Sequence, residues 1–291
     1  MRRLGLGTVQ FGLNYGVANR TGQVSRAEAK DMLALARANQ IDTLDTAIAY
    51  GESETCLGEL GTEAFNLITK LPELPKGCGD VQRWIETQVE ASLARLKRPS
   101  VYGLLLHRSE LLTKESGVAS LVWRVLLALK NKGFIQKIGV SIYSPSELDI
   151  LCAACPIDLV QAPLNLIDQE LITSGWLKRL KEAGVEVHTR SVFLQGLLLM
   201  DRRDMPIKFS AWNTTWDAWY AWQENHGFSA LEASLAFPLS VEGVDRVIVG
   251  ADSAQQLTQI IQATRLHPPS TFPAIQSTDA RLIHPSMWGA L

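Results

Sequence analysis

The chain has 291 residues, of which 46% are hydrophobic and 20% are charged, and its formal net charge is -2. This composition is typical of a folded globular protein and excludes a disordered or fibrous chain. Because the charge is nearly balanced and no run of like charges occurs, we expect a small-molecule ligand and no nucleic-acid or membrane partner.

The four cysteines are few and irregularly spaced: Cys56, Cys78, Cys152 and Cys155. This argues against a disulfide framework and predicts a cytoplasmic protein. Cys152 and Cys155 lie in an apolar helical stretch without metal ligands nearby, so we expect two buried core residues and no metal site. The sequence predicts neither a secretory signal nor a membrane-spanning segment.

Short apolar runs alternate with amphipathic stretches from residue 4 onward. The first helix is expected over 25–39, where Ser25 and Glu28 have the capping-box spacing. The predicted strands are 4–9, 43–45, 66–70, 101–107, 137–142, 159–162, 185–191 and 244–250. The other predicted helices are 54–60, 80–97, 117–132, one starting at Ser144-Pro145, 173–183, 211–225, 229–237 and 253–264.

About eight strands that are each followed by a helix favour an α/β fold, a closed (β/α)8 TIM barrel. The alternative is a doubly wound nucleotide-binding sheet, which would need G-x-G-x-x-G after the first strand. That segment, Gly5-Leu-Gly7-Thr-Val-Gln10, ends in glutamine instead. No linker divides the chain, so we predict one domain over 1–291 with a C-terminal tail, 266–291, packed on the barrel.

Ionisable residues end three consecutive predicted strands: Asp45, Lys70 and His107, with Tyr50 in the loop after Asp45. The active site of a barrel lies at these strand ends. An ammonium close to a phenol should lower the phenol pKa from about 10, so we expect Lys70 to acidify Tyr50. Such a proton donor suits hydride addition to a carbonyl. Taken alone, Asp45 and Tyr50 could equally be a capping carboxylate and a surface phenol.

At these residues the sequence resembles the aldo-keto reductases, which are nicotinamide-dependent (β/α)8 enzymes. The matching segments are Gly7-Thr8, Asp45, Tyr50, Lys70, His107, Gly139-Val140-Ser141, Val160-Gln161, Ser191, Gln195-Gly196-Leu197-Leu198, Val249-Gly250-Ala251 and Gln256-Leu257. The resemblance implies that Tyr50 is the general acid, that Lys70 and Asp45 tune it, and that His107 orients the carbonyl.

The resemblance also implies a cofactor, NADP(H) or NAD(H), over the barrel mouth. The implied cofactor-binding residues are Gly7, Thr8, Asp45, Ser141, Gln161, Arg190, Ser191, Gln195, Gly250, Asp252 and Gln256. We expect reduction of an aldehyde or ketone, with a small-molecule carbonyl or alcohol as partner, in a monomer or weak homo-oligomer.

Four positions depart from the family pattern. Ile142 and Ile260 replace asparagines that contact the cofactor in many members. Arg190 replaces a stacking aromatic, and its planar guanidinium could stack or meet a substrate anion, which suggests a polar, sugar-like substrate. Asp252 stands where many members bind the adenosine 2′-phosphate. Because a carboxylate there costs phosphate affinity, both NADH and NADPH remain open.

Two other functions compete with the reductase. Lys70 could form a Schiff base with a carbonyl substrate, as in a lyase. Alternatively, the altered cofactor contacts could belong to a barrel with weak turnover that acts as a nucleotide-binding or regulatory protein.

Four tryptophans recur at helical spacing before the last strand: Trp212, Trp216, Trp219 and Trp222. This spacing favours an apolar face packed against the barrel over an aromatic wall for the substrate. Pro285 and Trp288 in the tail could cover the pocket mouth or form a strut on the outer surface.

Overall fold

The structure, a computed structural model, describes residues 3–17, 19, 22–109 and 116–290. In this part of the chain eight parallel strands form a closed barrel in sequential order, with the first strand paired to the eighth. The strands are β1 (Leu4–Gly7), β2 (Thr43–Asp45), β3 (Asn66–Leu71), β4 (Val101–Leu106), β5 (Ile135–Ser141), β6 (Leu159–Pro163), β7 (Glu186–Arg190) and β8 (Arg246–Val249). The predicted (β/α)8 barrel is confirmed.

Helices follow the strands around the outside of the barrel. They are α1 (Arg26–Ala38), α2 (Ser53–Leu60), α3 (Val81–Leu96), α4 (Ser116–Asn131), α5 (Glu147–Ala154), α6 (Glu170–Thr173), α7 (Trp176–Glu182), α8 (Asn213–His226), α9 (Ala230–Ser240), α10 (Ala254–Ala263) and α11 (Ala280–Ile283). Ser25 caps α1 as predicted, since its side chain accepts a hydrogen bond from the Glu28 amide. The Glu28 carboxylate instead accepts from the Ala254 amide at the start of α10, which joins the two helices.

Several strands end differently from the prediction. The predicted strand 4–9 stops at Gly7, and Val9–Phe11 forms a 3-10 turn. The fifth strand begins two residues earlier and ends one residue earlier than expected, and the seventh and eighth are shorter at both ends. Val244 and Ile142 lie outside the strands yet are buried. The apolar residues of the sequence therefore indicate which positions are buried, and the buried positions extend beyond the hydrogen-bonded strands.

The predicted helix 173–183 is interrupted, and α6 and α7 take its place. Gly175 between them has φ 78, a left-handed conformation that a helix cannot continue through. The helix expected from Ser144-Pro145 begins at Glu147. The helix expected over 211–225 begins at Asn213, after a 3-10 segment, Ile207–Trp212.

Three of the four tryptophans before β8 are buried in the core, as predicted, and Trp212 packs against the core partly buried. Trp216, Trp219 and Trp222 are at most 8% exposed, and the rings of Trp219 and Trp222 stack at 6.1 Å. The tail packs onto the same region, because Trp288 contacts Phe209 edge-to-face with ring centroids 4.8 Å apart. Trp288 is therefore a strut on the barrel rather than a cover over the pocket. Leu291, the last residue of the predicted tail, lies outside the described residues.

The cysteines are free. Cys155 is buried as predicted, but Cys152 is exposed, because it lies on the solvent side of α5. Over the described ranges, no helix is both long and apolar enough to cross a membrane.

Candidate active site

One cavity of about 700 Å³ opens at the carboxyl ends of the strands. All predicted site residues except Lys70 line it: Gly7, Thr8, Asp45, Tyr50, His107, Ser141, Gln161, Arg190, Ser191, Gln195, Gly250, Asp252 and Gln256. These residues come from all parts of the chain. The parallel barrel brings them together because every strand ends on the same face.

Lys70 lies behind the cavity wall and forms a buried ion pair with Asp45. The Lys70 Nζ donates to Asp45 Oδ2 at 2.6 Å and to the Thr46 carbonyl at 2.9 Å. The two side chains are 1% and 7% exposed. Gln161 Nε2 donates to the other carboxylate oxygen, Asp45 Oδ1, at 2.7 Å. Burial lowers the pKa of Lys70, and the adjacent Asp45 charge opposes this shift. Asp45 therefore holds the Lys70 side chain in place.

Tyr50 lies in the turn between β2 and α2, and backbone packing fixes this turn. A Cβ on Gly12 would lie 1.8 Å from the Tyr50 carbonyl oxygen, so only glycine permits this approach. The buried hydroxyl of Ser53 donates to the Thr8 carbonyl at 2.8 Å and lies 3.0 Å from the Thr46 hydroxyl. Ser53 and Gly12 thus hold the turn that presents Tyr50 to the cavity.

The Tyr50 and His107 rings are in contact at the floor of the cavity. Their centroids are 5.6 Å apart in an edge-to-face arrangement. Lys70 Nζ lies 5.0 Å from the centroid of the Tyr50 ring. The Tyr50 hydroxyl and the His107 imidazole, both of which can donate a hydrogen bond, thereby lie side by side, with the Lys70 ammonium below the phenol.

The expectation that Lys70 acidifies Tyr50 is wrong. Burial raises the pKa of the Tyr50 phenol, and the negative charge of Asp45 raises this pKa further. Arg190 is the cation that opposes the increase. Because Asp45 neutralises the Lys70 charge at 2.6 Å, the exclusion of solvent is the main influence on the pKa of the Tyr50 phenol.

His107 is neutral at physiological pH. Burial, together with the charge of Lys70, lowers the pKa of its imidazole to about 4. A neutral imidazole has one N–H donor, which can bind a carbonyl oxygen without becoming charged.

The low pKa of His107 predicts a loss of stability in acid. Between about pH 6.5 and pH 4 the unfolded chain binds a proton at His107 and the folded chain does not, so the free energy of unfolding falls across this window. In urea titrations between pH 7.5 and pH 4.5, we expect the free energy of unfolding of His107→Gln to fall by about 2 kcal/mol less than that of the wild type. His267→Gln, which alters an exposed histidine, is the control and should follow the wild type. If the free energy of unfolding depended on pH equally in all three proteins, this prediction would be contradicted.

The middle of the cavity contains an acceptor without a partner. Gln161 is completely buried, its Nε2 is engaged by Asp45, and its Oε1 has no hydrogen-bond partner among the described residues. Ser141, which pairs with Gln161 in the sheet register, also lines the cavity. An unsatisfied buried acceptor is costly unless a ligand donates to it. A carboxamide such as that of nicotinamide would supply this donor.

The far end of the cavity is built around Asp252. The Asp252 amide donates to Gln256 Oε1 at 2.8 Å, and Asn19 Nδ2 lies 3.4 Å from Asp252 Oδ1. Burial raises the pKa of the Asp252 carboxyl, and hydrogen bonds from Gln256 and Gln10 oppose this shift. This end of the cavity is therefore acidic and polar, which suits hydroxyl donors better than a phosphate.

The loop after β7 has a strained backbone. Ser191, Leu194 and Gln195 have φ angles of 60, 48 and 53, in the left-handed region that non-glycine residues seldom adopt. Such strain persists where surrounding contacts impose it, and it is concentrated at functional sites. Here it turns Ser191 and Gln195 toward the cavity.

The sequence analysis missed several cavity residues: Gln10, Tyr15, Asn19, Tyr143 and Ser229. Tyr15 accepts a hydrogen bond from Gln195 Nε2 at 3.1 Å, which links the loop after β1 to the loop after β7. The sequence did contain a signal for Tyr15 and Tyr143, because both follow predicted strands at the catalytic face. Asn19 and Ser229 gave no such signal, since Asn19 lies in the loop before the first helix and Ser229 caps a helix rather than following a strand.

Comparisons with known proteins agree on one family. The model of the aldo/keto reductase family matches residues 3–279. The holo form of the aldo-keto reductase AKR11C1 from Bacillus halodurans has a TM-score of 0.73 and 21% identity over 92% of this chain and 88% of that one. PA4992 from Pseudomonas aeruginosa, provisionally assigned to the aldo-keto reductases, has a TM-score of 0.63 and 25% identity over 90% and 88%. No curated protein matches the sequence.

Proposed function

Because the chain belongs to the aldo/keto reductase family, we propose that it reduces an aldehyde or ketone with a nicotinamide cofactor, and that Tyr50 donates the proton. The observation that carries this proposal is the contact between Tyr50 and His107 at the cavity floor, above the buried pair of Lys70 and Asp45. Reduction of a carbonyl creates negative charge on its oxygen, so it needs a proton donor and a hydrogen-bond donor at one point.

When bound, a reduced nicotinamide would supply the hydride, and the side chains of this chain would supply the proton and orient the carbonyl. The raised pKa of Tyr50 keeps the phenol protonated at neutral pH, which is the form needed for reduction. Neutral His107 donates its N–H to the carbonyl oxygen and polarises the bond. The positive charge of Arg190 favours the phenolate that remains after proton transfer. A phenol with a raised pKa is a poor acid in the resting state, so the negative charge that develops on the substrate oxygen must draw the proton.

The residues along the cavity fit a nicotinamide dinucleotide. Gln161 Oε1 and Ser141 would hold the carboxamide, and the Gly250 turn with Asp252 and Gln256 would hold the adenosine end. The Thr8 hydroxyl lies 3.0 Å from the Asp45 carbonyl and from Ser53 Oγ, and Thr8 also lines the cavity. Thr8 supports the wall of the cofactor site.

The Schiff-base alternative lacks access to its nucleophile. Lys70 is 1% exposed, donates to Asp45 and Thr46, and is not among the residues that line the cavity. A carbonyl compound cannot reach Nζ without breaking this pair. Borohydride in the presence of substrate should therefore leave Lys70 unmodified, which peptide mass analysis can verify.

Cofactor binding and turnover should be measured separately to test the reductase. NADH and NADPH are titrated by fluorescence, and a panel of aldehydes and ketones is then assayed by loss of reduced-cofactor absorbance. We expect binding of at least one cofactor and substrate-dependent oxidation of it. Binding without turnover of any carbonyl would favour the regulatory alternative, and failure to bind either cofactor would overturn the proposal.

The carboxylate of Asp252 predicts a preference for NADH. Asp252→Arg should shift the ratio of the two dissociation constants toward NADPH by about 10- to 100-fold, because a charged hydrogen bond to the 2′-phosphate replaces repulsion. Asp252→Asn, which removes the charge without adding a donor cation, is the matched control and should shift the ratio less. Unchanged ratios in both variants would show that Asp252 does not contact the adenosine ribose.

A further inference from the structure

Arg190 lies at the end of β7 in the cavity wall, and its guanidinium is held in a fixed orientation. One terminal nitrogen donates to the Ile142 carbonyl at 2.8 Å, and the other donates to Ser191 Oγ at 3.1 Å. The Arg190 Cζ lies 4.6 Å from the centroid of the Tyr143 ring. A guanidinium has five N–H donors, and two of them are engaged here with partners among the described residues. Arg190 is thus a pre-oriented donor.

The positive charge of Arg190 is not neutralised by a close carboxylate. Within the described ranges no carboxylate oxygen lies within 4 Å of it, whereas Asp45 is paired with Lys70. The Arg190 charge acts on the buried carboxyl of Asp168, whose pKa is raised to about 7 mainly by burial. Asp168 is therefore substantially protonated at neutral pH and compensates Arg190 only in part.

The same region contains a second cation. Arg108 Cζ lies 5.3 Å from the Tyr143 centroid, so Tyr143 has a guanidinium at 4.6 Å and another at 5.3 Å. Arg108 is paired with Glu73 at 3.0 Å on the outer surface, which leaves Arg190 as the unpaired cation of this pair of arginines.

Arg190 lines the cavity together with Tyr50 and His107, and its charge acts on the catalytic end. Its charge opposes the increase in the pKa values of Tyr50 and Tyr15, and it contributes to the low pKa of His107. Asp252 at the other end experiences no such effect from it. A cation at the catalytic end would be repelled by an oxidised nicotinamide ring, which is itself positively charged. A stacking role for Arg190 under the cofactor is therefore disfavoured by charge.

We propose that the carbonyl substrate carries a carboxylate or phosphate group and that Arg190 binds this anion. The planar fork of the guanidinium matches both oxyanions, and a partly desolvated cation gains more from such a ligand than an exposed one. This inference rests on the proposed carbonyl reduction, and it narrows the expected polar, sugar-like substrate to one that carries an acidic or phosphate group. Arg190 would place the carbonyl carbon by holding the opposite end of the substrate.

Matched pairs of aldehydes test the anion site during turnover. Succinic semialdehyde is compared with butanal for the carboxylate, and glyceraldehyde 3-phosphate is compared with glyceraldehyde for the phosphate. In the wild type we expect kcat/KM to be higher for one charged member than for its neutral partner. Arg190→Met should reduce that charged-to-neutral ratio about 10- to 100-fold, mainly through KM, because a charged hydrogen-bond pair is lost. Arg190→Lys should retain part of the ratio, since it keeps the charge and loses the fork.

An independent measurement detects the anion site without turnover. Malonate, which has two carboxylates and no reducible carbonyl, is titrated by calorimetry into the wild type saturated with oxidised cofactor. We expect binding that weakens with salt and is lost in Arg190→Met.

The outcomes separate the two proposals. Equal losses for charged and neutral aldehydes, together with weaker cofactor binding in Arg190→Met, would assign Arg190 to the cofactor and overturn the anion site while carbonyl reduction stands. Absence of malonate binding to the wild type would also overturn the anion site. If none of the four aldehydes is reduced but malonate binds through Arg190, the carbonyl reduction fails and the anion site remains.

Discussion

Replacing Tyr50 with phenylalanine should lower kcat for carbonyl reduction by about 10³-fold, since general acid catalysis contributes roughly 10² to 10⁴. The ring would keep its edge-to-face contact with His107, so the loss would report the hydroxyl alone. His107 cannot replace the lost acid, because its pKa of about 4 leaves it neutral and a weak proton donor near pH 7. Single-turnover measurements with saturating cofactor isolate this step from product release.

Tyr15→Phe is the matched control for this variant. Tyr15 also lines the cavity, and its hydroxyl accepts a hydrogen bond from Gln195. Both variants therefore remove a tyrosine hydroxyl from the wall of the same cavity. We expect Tyr15→Phe to lose less than tenfold in kcat, because no proton transfer depends on it. The dissociation constant of the cofactor should change little in Tyr50→Phe. A similar loss in both variants, or a loss in Tyr50→Phe below tenfold, would remove Tyr50 from the role of acid.

Replacing Lys70 with methionine should destabilise the fold by about 3–5 kcal/mol, because Asp45 would remain buried without its cation. The Asp45 carboxylate would keep the hydrogen bond from Gln161 Nε2 but lose the 2.6 Å contact to Nζ. The double variant Lys70→Met with Asp45→Asn should regain most of this free energy, since no charge is then buried. Urea titrations of the single and double variants give the coupling energy directly.

An exposed ion pair provides the control for Lys70. Lys178 and Glu182 lie one helical turn apart on α7, 3.8 Å from each other, and their side chains are 82% and 64% exposed. Lys178→Met should change the free energy of unfolding by less than about 0.5 kcal/mol, as is typical of exposed pairs. Lys70→Met and Lys178→Met could lower the free energy of unfolding equally little only if Asp45 were neutral or solvated in the Lys70 variant. In that case the ion pair of Lys70 and Asp45 would not hold the side chains of the catalytic end in place.

The catalytic end combines groups that depend on one another. Asp45 is held by Lys70 and Gln161, and Gln161 in turn has one free acceptor in the cavity. Loss of Asp45 would thus disturb both the phenol and the acceptor available to a carboxamide. Acid and cofactor contacts are therefore linked through this one buried carboxylate.

The barrel and the positions of its polar strand ends could be predicted from the sequence. Apolar runs of strand length alternated with helical periodicity, and this pattern requires parallel strands that end on one face. Asp45, Lys70 and His107 followed from that rule, because each ends such a run. The limits of the strands were less accurate, since Ile142 and Val244 are buried outside the hydrogen-bonded segments. The prediction of one helix over 173–183 was wrong because Gly175 adopts a left-handed backbone conformation.

Only the tertiary structure decided the charge states and the partners of these residues. The phenol of Tyr50 is less acidic than the sequence suggested, because burial and Asp45 outweigh the neighbouring cation. Gln161 reaches Asp45 across 116 positions of the chain, and the Arg190 guanidinium meets the Ile142 carbonyl across 48. The sequence itself determined the order of strands and helices and which polar residues lie near the strand ends, since hydrophobic periodicity is local. A pKa depends on solvent exclusion and on distances between residues remote in sequence, and folding alone sets both.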